Sequence, residues 1–516
     1  MSERTVRDSD SIPAFGGQDF YAYRLLLTKG KKMKKIISMI VMIAMLASFV
    51  ACAKADDQGS SENGTVGNTT SESDTATEVS ETVDPATQPN IPDVTYPGFT
   101  YRVASGFVKE TKYTTNSIFN DTVNGEILED AIYTRTVELE EKFDIDFEEC
   151  DIGYNEVINS VLAGNNEYDL CTATLSEVMT VVNRSVVYDL YDIETLDLDK
   201  PWWDQNAEDK LSFDGHLYYT FSDFLITGMD NGRAVYFNKT MHEELKLDDL
   251  YQMVREGEWT YEKMAIMSDA ARSDLNGDGV FDTNDQVGIA NNATTIYEAL
   301  LTGCDAEIIK RGDDGIPYFY CFDYKDRFVN VYESLLNTFK ERLLITGSAE
   351  EMFTNGQVLF YTATLSGAVR MRQEDIEFGI LPVPKWDAAQ ENYLNVSPNG
   401  DAMMIPSSVQ DTDRSGVILE ALSYYSSQYH SEDAVMPAYF ETALTARSTR
   451  DNESAESLQI IHDNISYVIK IVSTTFSGSI YSYFADANPN ITSLLKANEN
   501  VQKKLLQKAL DIANAG

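Results

Sequence analysis

The chain has 516 residues, with 40 Lys plus Arg against 83 Asp plus Glu, a formal charge of −43 and a pI near 4.3. A field of that sign repels phosphate backbones and anionic lipid headgroups, which excludes a general nucleic-acid binder. At 43% hydrophobic residues, with 29 Tyr and 23 Phe, it can still bury a large core, and its length suits two or three domain-sized units.

The apolar run Ile36 to Ala51 follows Lys29, Lys31, Lys32, Lys34 and Lys35 and ends at Cys52. A basic flank, a short apolar stretch and small residues before a cut describe a secretory signal peptide over 1–51. The run is shorter than the ~20 residues that span a bilayer, and no later segment reaches that length, so no transmembrane helix is expected in the mature chain. Phe49-Val50-Ala51-Cys52 resembles the lipobox of bacterial lipoproteins, with Phe49 in place of the usual Leu. That resemblance implies lipidation of Cys52, anchoring at the extracellular face of the cell membrane, and a palmitate-type modification. Met33 before Lys34-Lys35 reads as the natural start, and residues 1–32 as an upstream extension. Cleavage after Ala51 removes eight basic and four acidic residues and takes the charge to −47.

Residues 52–96 are rich in Ser, Thr, Asp, Glu and Asn and end in Pro85, Pro89 and Pro92. Almost nothing there can be buried, so a disordered acidic tether is expected. The body runs over 97–516. Tyr101 to Ala104 reads as a strand, Glu126 to Phe143 as a helix, Phe143 to Phe147 and Tyr168 to Ala173 as strands, and Asn490 to Ala515 as a closing helix. Strand, helix and strand at this pace indicate an α/β layered body with parallel pairing. Four cysteines follow Cys52; Cys150–Cys171 and Cys304–Cys321 bridges are open alternatives to buried thiols, and no spacing matches a zinc or redox motif.

The segment DLNGDGVFDTND carries the sharpest local chemistry. Asp274, Asn276, Asp278, the Val280 carbonyl, Asp282 and Asp285 alternate around a turn at Gly279, which is how a chain curls hard oxygens around calcium. Asp285 stands where a bidentate Glu is usual. A structural calcium ion is the expectation, an Asx-rich surface turn the alternative, and no organic cofactor motif is present. Gly257 to Met264 reads as a helix start with Thr260 as N-cap.

The ordered pieces PWWDQNAEDKLSFDGHLYYTFSDF (201–224), VYFNKT (235–240), GEWTYEKM, DLNGDG, NGQVLFYT (355–362), FGILPVPK (378–385) and ETALTARSTRDNESAESLQIIHDN (441–464) resemble extracellular solute-binding proteins of ABC importers, the group that includes maltose-binding protein. The resemblance spans most of 97–516. It implies a bilobal, type II periplasmic-binding-protein-like fold: two α/β lobes joined by a hinge, with the solute in the cleft between them. By that analogy lobe 1 covers roughly 97–230 plus a segment after 398, and lobe 2 roughly 231–398 plus part of the C-terminal region. It also implies a monomeric receptor that hands a small solute, most often a sugar, to membrane permease subunits. Sugars stack on aromatic rings and give hydroxyls to carboxylates and amides. Candidate platforms are Trp202, Trp203, Tyr218, Tyr219, Tyr361, Trp386 and Tyr439, and candidate polar partners are Asp204, Asp223, Asp230, Arg370, Arg372 and Glu441. Each of these is also an ordinary core aromatic or solvated charge in its own right; Trp202-Trp203-Asp204 leads as a bulky pair beside a carboxylate.

The other reading is a secreted carbohydrate-active enzyme or carbohydrate-binding adhesin. No GxSxG, HExxH, GxxxxGK[ST] or GxGxxG motif is present, and His216, His242, His430 and His462 are the only histidines. No catalytic residue is assigned.

Overall fold

A computed structural model describes residues 84–106, 118–371, 374–444, 452–470, 474–486 and 489–513. The signal segment, Cys52, most of the tether and Arg372 lie outside the described residues. Two sheets organise the body. The first contains β1 (Phe99–Ala104), β2 (Ile145–Cys150) and β3 (Leu170–Thr174), with β1 parallel to both neighbours. The helix Ile127–Phe143 makes the crossover from β1 to β2 and stops at Asp144, whose φ of 55 turns the chain into the left-handed region. Asp tolerates that conformation because its short polar side chain can bond locally.

The chain then reaches β4 (Arg233–Asn238), the first strand of the second sheet, which also holds β5 (Val287–Asn291). A two-stranded hairpin, β6 (Lys310–Arg311) with β7 (Pro317–Tyr318), interrupts it before β8 (Leu343–Ile345), β9 (Val358–Thr364) and β10 (Phe378–Leu381). The strand order is β10-β4-β9-β5-β8; β4 runs antiparallel to β9 and β10, while β5 is parallel to β8 and β9. Every residue of β5 is buried, as are all but one in each of β4 and β9, because helices cover both faces of the sheet. Gly379 of β10 has no side chain for the same reason of space: a Cβ there would collide with the Phe237 ring and the Tyr251 hydroxyl.

After β11 (Asn395–Ser397) the chain returns to the first sheet as β12 (Asp401–Met404), antiparallel to β3 with Met404 opposite Cys171, and completes the order β12-β3-β1-β2. It leaves again through the helices Thr412–Ser426, Val435–Leu444 and Asn452–Asp463, and β13 (Ile465–Tyr467) pairs in parallel with β11. The helix Asn452–Asp463 packs on β10 of the second sheet, whereas Gln205–Leu211, from the first-sheet half of the chain, packs on β13. The closing helix is Ile491–Ala513. The architecture is α/β with two sheet-centred lobes. Cys171, Cys304 and Cys321 are buried thiols without disulfides, so neither bridge left open by the sequence forms. Among the described residues no helix is long and apolar enough to cross a membrane.

Candidate functional site

A cavity of about 530 Å³ opens where the two halves meet. One wall is Pro201 and Trp203 to Asn206 with Phe221 to Asp223, tied to the first sheet through a bridge from Thr220 to Met403 of β12. The opposite wall is the end of the helix Asn452–Asp463 and β13, contributing Gln459, His462, Asp463, Ile465 and Tyr467. Gln428, Tyr429, Met436, Pro437 and Phe440 close one side.

Asp204 sits at the head of the helix Gln205–Leu211. One carboxylate oxygen accepts from the Ala207 amide at 2.9 Å, the N-cap bond that satisfies an otherwise orphaned donor. The other accepts from the Tyr467 hydroxyl at 2.5 Å. Burial raises the pKa of Asp204, and those two bonds pull against it. Burial pushes Asp223 up to about 7; the charge of His462 opposes that rise and the charge of Asp204 adds to it. For His462, burial works against the imidazolium, but the bond to Asp463 at 3.0 Å and the charges of Asp223 and Asp204 outweigh it and hold the pKa above its usual value. Tyr467 stacks on Phe221 with centroids 4.3 Å apart, and Phe440 meets the His462 ring edge-on.

Gly228 lines this space as a point of close approach. A Cβ there would lie 2.8 Å from the Tyr467 hydroxyl oxygen and 2.9 Å from the Phe221 ring, so only glycine lets the two rings stack over the backbone.

Of the residues singled out in the sequence, Trp203, Asp204 and Asp223 line the cavity. Trp202 does not: it is fully buried, its indole N–H donating to Glu420 at 2.8 Å and its ring set edge-on against Tyr424. Trp203 donates to the other oxygen of the same carboxylate at 2.9 Å, so one buried acid anchors both indoles and turns only the second toward the cavity. The other candidates are elsewhere. Tyr218 stacks on His216, Trp386 stacks on Tyr261 with Arg327 over its ring, Tyr219 is buried, and Glu441 is exposed. Asp230 accepts from Tyr439 at 2.9 Å, and burial raises its pKa to about 6. Tyr361 and Arg370 both bond Glu350 at 3.1 Å, beside a separate acidic recess of about 480 Å³.

Sequence reasoning did not single out Tyr467, Gln459, Tyr429 or Phe440, and it met His462 only as one of four histidines. None carries a local motif; they reach Asp204 and Asp223 by more than two hundred residues of intervening chain.

The loop from Asp274 to Asp285 has its side-chain oxygens turned onto its own backbone. Asp274 accepts from Gly277 and Gly279, Asn276 from Asp278, Asp278 from Val280, and Asp282 from Asn284. Asp285 is fully buried and accepts from the Asp282 and Leu275 amides, which hold its pKa below the usual carboxylate range. Gly277 and Gly279, at φ of 76 and 80, make the turns. Among the described residues, no group of three or more His, Cys, Asp or Glu side chains is gathered as metal ligands.

No family model matches the chain, and no curated protein matches it by sequence. Solved structures do match. The sugar-binding protein MalE from the phytopathogen Xanthomonas citri aligns with a TM-score of 0.54 at 12% identity, over 81% of this chain and 100% of that one. The chain has the bilobal solute-binding-protein fold. A sugar transporter from Rhizobium etli in an open conformation aligns at 0.51 and 14% identity, over 81% of this chain and 100% of that one. A cyclo/maltodextrin-binding protein complexed with maltotetraose aligns at 0.50 and 13% identity, over 81% and 97% of the two chains. Within the solute-binding fold, the cavity between the two sheet-centred halves is the candidate ligand site.

Proposed function

We propose that this protein captures a small carbohydrate in the cavity between its lobes and delivers it to the permease of an ABC importer, from a lipid anchor at Cys52 on the outer face of the cell membrane. The carrying observation is the cavity itself: rings of Trp203, Phe221, Tyr429 and Tyr467 beside carboxylates of Asp204 and Asp223, drawn from segments that pack on different sheets. Aromatic faces and carbonyl-type acceptors match the two surfaces of a sugar, its C–H face and its hydroxyls. The names of the matched structures, maltodextrin-binding and sugar-binding proteins, support the same ligand class. Lobe closure over the ligand would be a population shift driven by contacts that only the closed state makes.

A panel of mono- and oligosaccharides tested by thermal shift and by small-angle scattering checks this reading. A cognate sugar raises the melting temperature and compacts the body; a panel without such a member overturns it. Replacing Cys52 with Ser in the full chain should release the protein from the membrane fraction. A calcium ion at the Asp274–Asp285 loop belongs to the same proposal as a structural element. Its support is the ligand spacing and the oxygen lone pairs that the amide bonds leave over, and it has no part in solute chemistry.

A further inference from the structure

The charge of the cavity carries the carbohydrate reading one step further, and the step rests on that reading. Asp204, Asp223 and Asp463 line the space, no Lys or Arg among its lining residues does, and His462 is the basic group facing them. Two of these acids are engaged. Asp204 accepts from Tyr467 and Ala207, and Asp463 from His462 and Gln459.

Asp223 differs. Its amide is fixed to the Trp202 carbonyl at 2.9 Å, while its carboxylate takes no hydrogen bond from a described residue and feels only burial and the charges of His462 and Asp204. That carboxyl lines the cavity with no donor from a described residue, so a donor on a bound ligand can reach it. A sugar hydroxyl supplies a hydrogen bond but nothing that holds this acid in its charged form against burial. An ammonium group supplies the bond and the countercharge together. Three acids face one histidine and no Lys or Arg lines the cavity, so nothing there but His462 would offset the charge of an anionic sugar.

We propose that the cavity takes a cationic sugar, an amino sugar whose protonated amine meets Asp223. The test titrates the full mature protein by calorimetry with the β-1,4-linked disaccharide of glucosamine and with its glucose counterpart, in which hydroxyls replace the amines. The amino disaccharide is expected to bind at least about tenfold more tightly, and Asp223→Asn to cut that preference by about tenfold or more. Should the variant fold poorly, raising sodium chloride from about 50 to about 500 mM on the unaltered protein replaces it: screening must weaken the amino sugar more than the neutral one. Equal or tighter binding of the neutral disaccharide overturns the inference and leaves the carbohydrate reading standing. Binding of neither these two nor any other sugar of the panel overturns both.

Discussion

The Tyr467 hydroxyl donates to Asp204 at 2.5 Å and so joins β13 to the head of a helix that belongs to the other half of the molecule. One carboxylate thereby does two things: it caps the helix Gln205–Leu211 and fixes one cavity wall against the other. Tyr467→Phe keeps the ring that stacks on Phe221 and removes only the donor. The partner carboxylate then loses a bond while remaining enclosed, a cost of about 1–3 kcal/mol. Chemical denaturation of variant and parent should show that loss, and a sugar that binds the parent should bind the variant more weakly.

Gly228→Ala places a methyl group 2.8 Å from the Tyr467 hydroxyl oxygen and 2.9 Å from the Phe221 ring. Neither ring can retreat without breaking the stack, so overpacking should cost about 1–3 kcal/mol and narrow the cavity. Thermal melts measure the first effect and ligand titration the second. Gly98→Ala is the contrasting case: its Cβ meets nothing within 4 Å, and only its φ of 77 opposes the change.

Glu420 holds both indoles of Trp202 and Trp203, and burial pushes its pKa from 4.5 up to about 7. The folded state therefore keeps this proton more tightly than the unfolded chain does. Its contribution to stability is complete below about pH 4.5 and is lost as pH rises to about 7. The size of that contribution is on the order of 3 kcal/mol. Glu420→Gln fixes an uncharged side chain, so the gap in stability between parent and variant should change across this window and flatten outside it. Denaturant melts at a series of pH values would reveal a constant gap if the carboxyl does not titrate there.

Asp285 accepts two backbone amides from a fully buried position, and Asp285→Ala should lower the melting temperature with or without calcium. Asp278 is exposed and serves the loop alone. If calcium binds, a chelator lowers the melting temperature of the parent and leaves that of Asp278→Ala where it was; identical parent curves with and without chelator reduce the loop to a turn.

Much of the frame was legible beforehand. The expected helix over 126–143 forms over Ile127–Phe143, Thr260 caps its helix by accepting from the Lys263 amide at 3.3 Å, and the first two expected strands pair in parallel. Those features depend on neighbours a few residues away, where periodicity and capping chemistry act. The pair Trp202-Trp203 shows where local reading stops. Adjacent in sequence and alike in chemistry, the two indoles part company because Glu420, on a helix more than two hundred residues later, draws Trp202 into the core and leaves Trp203 at its edge.

The amino-acid sequence by itself determined the acidic charge, the signal-like segment with its following Cys52, the alternation of strands and helices, and the resemblance that pointed to two lobes. These are properties of composition and of short-range pattern. Which acids and aromatics share a cavity was decided only by the tertiary structure. Asp204, Asp223, His462 and Tyr467 meet because β13 pairs with β11 and packs on the helix that Asp204 caps. Burial then sets their protonation and their need for partners, and burial is a property of the whole fold that no single stretch of chain carries.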